Sequence, residues 1–155
     1  MEYQKDNFQI STDKARLQLE VIASYLQHDA YWAKQRSLPT IVRSIDQSLC
    51  FGVYTNDQQV GFARVVTDSA TFAYLCDVFI LPAWQGQGLG KWLIECVVSY
   101  LDEQGVNWTM LATRDAHELY EEYGGFQKLH LPEKWMGRTN PKLTHSEPDQ
   151  QITIV

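Results

Sequence analysis

The sequence lacks both an excess of positive charge and a set of paired cysteines. Its 155 residues contain 13 Lys and Arg against 19 Asp and Glu, so the formal net charge is −6. Because nucleic acids are bound through clustered positive charge, this balance argues against a nucleic-acid partner. The three cysteines Cys50, Cys76 and Cys96 show no paired spacing. That pattern is typical of reduced, buried thiols and predicts a cytoplasmic protein.

Long hydrophobic runs and clusters of metal ligands are also missing. The longest uninterrupted apolar run extends from Val78 to Trp84, whereas a membrane-spanning helix needs about 20 apolar residues. Residues 1–6 are polar and do not resemble the apolar segment of a signal peptide. Because the four histidines lie far apart, we expect no metal site. Because no apolar run is long enough to span a bilayer, we expect no membrane partner. The length predicts one domain over residues 1–155. We expect the protein to be a monomer or a homodimer.

Hydrophobic periodicity predicts a mixed α/β chain with the element order βααβββαβαβ. Strands are expected at 8–10, 48–54, 59–66, 71–81, 108–112 and 126–129. Helices are expected from a cap at Ser11, at 41–47, at 88–104 and from a cap at Asp115. Residues 152–155 either form a last strand or simply trail.

The most informative segment is a glycine-rich turn between the strand at 71–81 and the helix at 88–104. It contains Gly86, Gly88 and Gly90 at alternate positions. Without Cβ atoms, the backbone of such a turn can approach a ligand closely. The free N–H groups and the positive dipole end of the following helix favour a phosphate. The turn therefore predicts a phosphate-bearing cofactor.

The spacing of these glycines decides between cofactors. A Walker loop requires Ser or Thr after Gly-Lys, but Trp92 follows Gly90-Lys91. The dinucleotide pattern GxGxxG requires a different glycine spacing and an acidic residue in a second βαβ unit. The pattern Gln-x-x-Gly-x-Gly, formed by Gln85, Gly88 and Gly90, does fit.

This pattern resembles the acetyl-CoA pyrophosphate loop of the GNAT superfamily of N-acetyltransferases. The similarity extends upstream to the run from Val78 to Pro82 and downstream to the run from Leu119 to Phe126. The resemblance implies an α/β fold with a central mixed, twisted sheet, helices on both faces, and strands that splay apart to admit acetyl-CoA. It implies transfer of an acetyl group to a primary amine of a small molecule, by direct attack in a ternary complex. Acetylation of a protein or peptide amine, and a non-catalytic acetyl-CoA sensor, stay open as alternatives.

The resemblance also implies which residues hold the cofactor. A bulge in the strand before the loop is expected to free N–H groups from its ladder. The expected cofactor contacts are Val78, Phe79, Ile80, Gln85, Gly86, Gln87, Gly88, Leu89, Gly90, Lys91, Arg114 and Tyr120. Lys91 is either a phosphate contact or a solvated helix residue. Family members often carry an Asn near Arg114 to hold pantetheine, and this chain has none there, so Arg114 is expected to meet a CoA phosphate instead.

Two residues are candidates for the chemistry. By resemblance, Tyr120 is the acid that protonates the departing thiolate, since a phenol is protonated at neutral pH. Two glycines precede Phe126 where the family has one, which leaves Tyr123 as a fallback. Asp77 lies within an apolar strand, where an unpaired carboxylate is costly. It either binds or deprotonates the amine, or pairs with Arg64 on a neighbouring strand.

The acceptor is expected on the link that follows the first helix. The resemblance places the acceptor wall there, at Tyr31, Trp32 and Arg36, together with Asp77. Aromatic residues can form a pocket for an amine, although core packing explains them equally well.

Overall fold

A six-stranded sheet forms the centre of the protein in a computed structural model that describes residues 1–142. In chain order the strands are β1 (Glu2–Lys5), β2 (Phe8–Ser11), β3 (Leu49–Thr55), β4 (Gln58–Thr67), β5 (Phe72–Ile80) and β6 (Trp108–Met110). The helices are α1 (Leu19–His28), α2 (Leu38–Asp46), α3 (Leu89–Glu103) and α4 (His117–Gly124). Neighbouring strands follow the chain order, with β1 to β5 antiparallel and β6 parallel to β5.

The helices cover both faces of this sheet, as the family resemblance implied. One apolar cluster joins α3 to inward residues of the sheet such as Phe51, Val65 and Leu75. The second cluster joins α1 and α2 to the opposite face, where Phe62 and Phe79 project. Alternate residues of a strand point to opposite faces, so a strand buried on both sides is apolar throughout. No helix among residues 1–142 has both the length and the apolar character needed to cross a bilayer.

The chain departs from the predicted elements near its N-terminus. Strand β1 was not predicted because its sequence, Glu-Tyr-Gln-Lys, shows no clear apolar alternation; it pairs with β2 through a tight turn at Asp6. Ser11 was predicted to cap the first helix, which is wrong. Ser11 belongs to β2, and Asp13 caps a short 3₁₀ turn at 14–16 by accepting from Ala15 N–H at 2.9 Å. Helix α1 begins only at Leu19.

Two further differences lie near the C-terminus. The predicted cap at Asp115 is wrong, because α4 begins at His117 and it is the Thr113 hydroxyl that accepts from Ala116 N–H at 3.1 Å. The predicted strand at 126–129 is irregular backbone in the structure. The possible strand at 152–155 lies outside the described residues.

The three cysteines are free and buried, as predicted. Burial raises the pKa of Cys50 and of Cys96 to about 11 and that of Cys76 to about 12. All three thiols are therefore protonated at neutral pH and serve as small apolar side chains.

Candidate active site

Strands β5 and β6 diverge and leave a wedge-shaped cleft between them. Their pairing begins at Phe72 and Trp108 and ends at Tyr74 and Met110, although β5 continues to Ile80. Among residues 1–142, the edge of β5 beyond Tyr74 has no strand partner on this side. A cleft of about 570 Å³ opens at this edge, with α1 and its following link on one side and α4 on the other.

Strand β5 contains the predicted bulge. Phe62 of β4 pairs with Phe79 and Arg64 pairs with Cys76, so Ala63 alone faces both Asp77 and Val78. Asp77 has a φ of +51°, a left-handed value that Asp tolerates better than most residues. The bulge thereby alters the direction of the strand where it borders the cleft.

The glycine loop closes one end of the cleft. Gly86 and Gly88 have φ values of +77° and +78°, and a Cβ built on either would meet no atom within 4 Å. Gly88 is also the N-cap of α3, and no side chain among residues 1–142 caps this end. The first helical hydrogen bond runs from Trp92 N–H to Gly88 C=O at 3.1 Å. The preceding N–H groups of the first turn are thus left for an external acceptor.

This arrangement fits the pyrophosphate of a CoA molecule. The loop is open where a phosphate would lie, and its N–H groups and helix dipole favour an anion there. The unpaired edge of β5 leads away from the loop and offers backbone groups to an extended arm. The Gln85 side chain does not extend into open space: its Nε2 donates to Ile80 C=O at 2.9 Å and so ties the loop to the end of β5.

Asp77 is fully buried and is held by three neighbouring side chains. Arg36 Nη1 donates to Oδ1 at 2.7 Å and to Oδ2 at 2.8 Å. Arg64 Nε donates to Oδ2 at 2.7 Å, and Trp32 Nε1 donates to Oδ1 at 3.2 Å. The pairing with Arg64, one of the two alternatives that the sequence left open, is therefore present. Each carboxylate oxygen already accepts two hydrogen bonds, which fills its lone pairs.

The charge in this cluster is not balanced. Burial lowers the pKa of Arg64, but the Asp77 carboxylate and its hydrogen bond outweigh that effect, and the pKa is raised overall. Both guanidiniums are charged at neutral pH, since Arg is not deprotonated in proteins. Two cations thus surround one anion.

Tyr120 projects from α4 into the cleft and is 8% exposed. Burial, with a further contribution from Tyr31, raises the pKa of Tyr120 to about 12. Its hydroxyl has no hydrogen-bond partner within the described part of the chain. Tyr123, the fallback, differs: its hydroxyl accepts from Lys91 Nζ at 2.6 Å, and the ammonium also lies 4.6 Å from its ring centroid. That hydrogen bond raises the pKa of Lys91.

The double glycine before Phe126 has a structural explanation. Gly124 ends α4, and a Cβ there would approach the Phe126 ring to 2.7 Å and Ile94 to 3.0 Å. Gly125 has a φ of +66° and caps the helix, since its N–H bonds to Tyr120 C=O. The first glycine permits close packing and the second the reversal of the chain. Tyr120 consequently stays on the cleft side of α4.

Most of the predicted site residues meet in this cleft. The cleft is lined by the predicted residues Tyr31, Trp32, Asp77, Val78, Phe79, Ile80, Gln85, Gly86, Gly88, Leu89, Gly90, Lys91 and Tyr120. Gln87, Arg36 and Arg114 are not part of this lining. Arg36 binds Asp77 instead, and the Arg114 guanidinium lies 3.8 Å from the Tyr31 ring centroid.

Sequence reasoning missed Tyr25 and Trp84, which also line the cleft. Tyr25 stacks on Phe79, with ring centroids 3.9 Å apart and planes at 12°. Its position three residues after Ile22 is typical of a helix core face, so periodicity alone could not distinguish it. Trp32 and Arg36 lie more than 40 residues from Asp77 in the sequence, so their hydrogen bonds to Asp77 produce no local sequence pattern.

Comparison with known proteins identifies the family. The sequence profile of the acetyltransferase (GNAT) family matches residues 19–126. A Gibberella zeae protein assigned as an acetyltransferase is 31% identical to this chain, in a match that covers 75% of this chain and 77% of that one. The chain belongs to the GNAT family and is an acyltransferase.

A solved structure supports the same conclusion. A crystal structure from Xanthomonas campestris pv. campestris, assigned as a GNAT-family acetyltransferase, is 43% identical with a TM-score of 0.83 and covers 92% of this chain and 100% of that one. The ribosomal protein bS18 alanine N-acetyltransferase of Haemophilus influenzae is 36% identical to this chain, in a match that covers 55% of this chain and 62% of that one. The family resemblance and the fold predicted from the sequence are confirmed.

Proposed function

We propose that the protein transfers an acetyl group from acetyl-CoA to a primary amine of a small molecule, by direct attack in a ternary complex. The observation that carries this proposal is the shared cleft. It combines the free edge of β5, the uncapped start of α3 and the Tyr120 hydroxyl. Acyl transfer requires a fixed donor, a developing charge that is stabilised, and a leaving group that gains a proton.

The glycine loop and β5 would hold the cofactor. The N–H groups of Leu89, Gly90 and Lys91 would bind the pyrophosphate, and the backbone of Val78 and Ile80 would bind the extended arm. Acetyl-CoA supplies, when bound, an activated thioester carbonyl and a thiol leaving group. Lys91 is already held by Tyr123, so a phosphate contact through its side chain would have to compete with that hydrogen bond.

Tyr120 is the proposed acid. Its phenol is unpartnered within residues 1–142 and faces the cleft, and a pKa of about 12 keeps the proton on the oxygen at neutral pH. Tyr123 is less suited because its oxygen already accepts from Lys91. Tyr120 would therefore deliver its proton to the departing sulfur.

Asp77 would position the site instead of removing the amine proton. Both of its oxygens already accept hydrogen bonds from Arg36, Arg64 and Trp32, so neither oxygen is left to take a proton from the amine substrate. The amine proton would then leave through water, which requires no side-chain base. Asp77 instead fixes the bulge and fastens the link that contains Trp32 and Arg36 to β5.

Of the two alternatives, acetylation of a protein amine has some support. The similarity to a ribosomal protein alanine N-acetyltransferase favours a protein amine. The contact between Arg114 and Tyr31, which joins the two sides of the cleft, favours a smaller acceptor because it narrows the approach. A pure acetyl-CoA sensor would have no use for a free phenol in the cleft.

The proposal is tested by measuring acetyl-CoA-dependent release of free thiol with a panel of small primary amines and N-terminal peptides. We expect thiol release that saturates with at least one small amine. Faster release with a peptide than with every small amine would favour the protein alternative. Tight acetyl-CoA binding without release by any acceptor would favour the sensor.

A further inference from the structure

We propose that the acceptor is a primary amine with an aromatic or apolar body and no second positive charge. This inference rests on the proposed acetyl transfer and names the substrate class for the same cleft. It is drawn from the aromatic rings and the charged side chains at the end of the cleft where the amine would meet the thioester.

The glycine loop fixes which end of the cleft reacts. The loop joins the end of β5 at Ile80, where Gln85 is tied to the strand. A cofactor whose phosphates lie at the loop extends its arm back along β5, toward Asp77 and Cys76. The amine must meet the thioester at that end, beside Tyr31, Trp32 and Tyr120.

Aromatic rings dominate this end of the cleft. Tyr25 stacks on Phe79, and Tyr31 meets Trp32 edge to face with centroids 5.0 Å apart. All four residues line the cleft. The indole N–H of Trp32 is used by Asp77, so Trp32 offers the acceptor only apolar surface. Such rings bind an apolar body and restrict its orientation.

The two carboxylates that line the cleft already have cationic partners. The acidic residues among the described lining are Asp77 and Asp115. Asp77 is saturated by its three partners, and Asp115 lies 3.6 Å from the Arg114 guanidinium. The charges of Arg114 and Asp115 offset each other, so the surplus positive charge of the Asp77 cluster remains at this end and disfavours a second ammonium group.

The same surroundings assist the reaction. Transfer of an ammonium group to an apolar site with no carboxylate partner favours its neutral form. A neutral amine is the nucleophile that acetyl transfer requires. A second ammonium on the acceptor would instead need a partner that the cleft does not provide.

Two matched pairs of amines test the proposal with the wild-type protein. 2-Phenylethylamine and ethylamine differ by the ring, and butylamine and putrescine differ by a second ammonium. At saturating acetyl-CoA we expect the ring to raise kcat/KM about 10–100-fold. Putrescine should react more slowly than butylamine by about tenfold or more. Equal values for ethylamine and 2-phenylethylamine, or faster reaction of putrescine, would overturn the proposal.

A binding measurement separates this inference from the proposed transfer. Tryptophan fluorescence of the CoA-bound protein, titrated with the same four amines, requires no turnover. Tighter binding of 2-phenylethylamine than of putrescine supports the substrate class even if no thiol is released. Tighter binding of putrescine, or no binding of any monoamine, contradicts it whether or not transfer occurs.

A variant series locates the preference at Tyr31. Tyr31→Leu should lower the ratio of kcat/KM for 2-phenylethylamine to that for butylamine by about tenfold. Tyr31→Phe keeps the ring and should keep the ratio. Trp135→Leu removes a half-exposed aromatic residue that is not part of the cleft lining and should also keep it. An unchanged ratio in Tyr31→Leu, with Tyr31→Phe folded and active, would remove Tyr31 from the acceptor site.

Discussion

The Tyr120→Phe variant should lose about 10²–10⁴-fold in kcat while its affinity for acetyl-CoA changes little, because general acid catalysis typically contributes that much. The substitution keeps the ring that packs 6.0 Å from Phe126 and removes only the hydroxyl. Steady-state kinetics with the best amine, together with calorimetric titration of acetyl-CoA, measures both quantities.

Tyr123→Phe is the matched control for this variant. It lies on the same helix and removes a hydroxyl that hydrogen-bonds to Lys91, so we expect a kcat close to wild type. The pH–rate profile adds a second readout. Since the pKa of Tyr120 is about 12, its deprotonation should cause no fall in rate near pH 10. Loss of activity in Tyr123→Phe with normal activity in Tyr120→Phe would assign the acid to Tyr123.

The Asp77→Asn variant should lose about 3–5 kcal/mol of folding stability, the usual cost of removing one partner of a buried ion pair. Asn keeps the shape and tolerates the left-handed φ of +51°, so the change isolates the charge. Arg64 and Arg36 would be left without their anion. The melting temperature and the pH–rate profile of the folded variant are the two measurements.

Asp6→Asn is the control for this variant, because Asp6 has the same φ of +51° but is exposed. It should leave the melting temperature unchanged. With Asp77→Asn, we expect a lower melting temperature and an unchanged shape of the pH–rate profile. An undiminished melting temperature, with a rate that depends more steeply on rising pH, would make Asp77 the base after all.

The parts of the fold that sequence predicted well are those set by local rules. The glycine loop and the helix that follows it each depend on the backbone of a few neighbouring residues. The predicted start of α1 was wrong because a competing local hydrogen bond, from Ala15 N–H to the Asp13 carboxylate, caps a 3₁₀ turn first. Residues 126–129 have the composition of a strand but lack a ladder partner in the structure.

The candidate site divides in the same way. The cofactor side follows from a motif in adjacent residues, and the members of this motif other than Gln87 line one cleft. The acceptor side depends on contacts between distant segments. Arg36 was expected at the acceptor but binds Asp77, 41 residues away, and Arg114 was expected at a phosphate but lies against Tyr31. Side-chain pairing of this kind leaves no periodicity in the sequence.

The central claim is that acetyl-CoA is held at the glycine loop that opens α3, and a comparison of two glycine variants tests it most directly. Gly88→Asp and Gly105→Asp carry similar backbone strain, since the φ values are +78° and +74°, and a Cβ meets no atom within 4 Å at either position. Only Gly88 lies at the N-terminal end of α3, where an added carboxylate would repel the phosphates.

The measurement is calorimetric titration of acetyl-CoA, supported by thermal unfolding. At about 100 times the dissociation constant, acetyl-CoA should stabilise the wild type and Gly105→Asp by about 2.7 kcal/mol. Gly88→Asp should show neither binding nor stabilisation. Undiminished binding by a folded Gly88→Asp variant, or no binding by the wild type, would contradict the account.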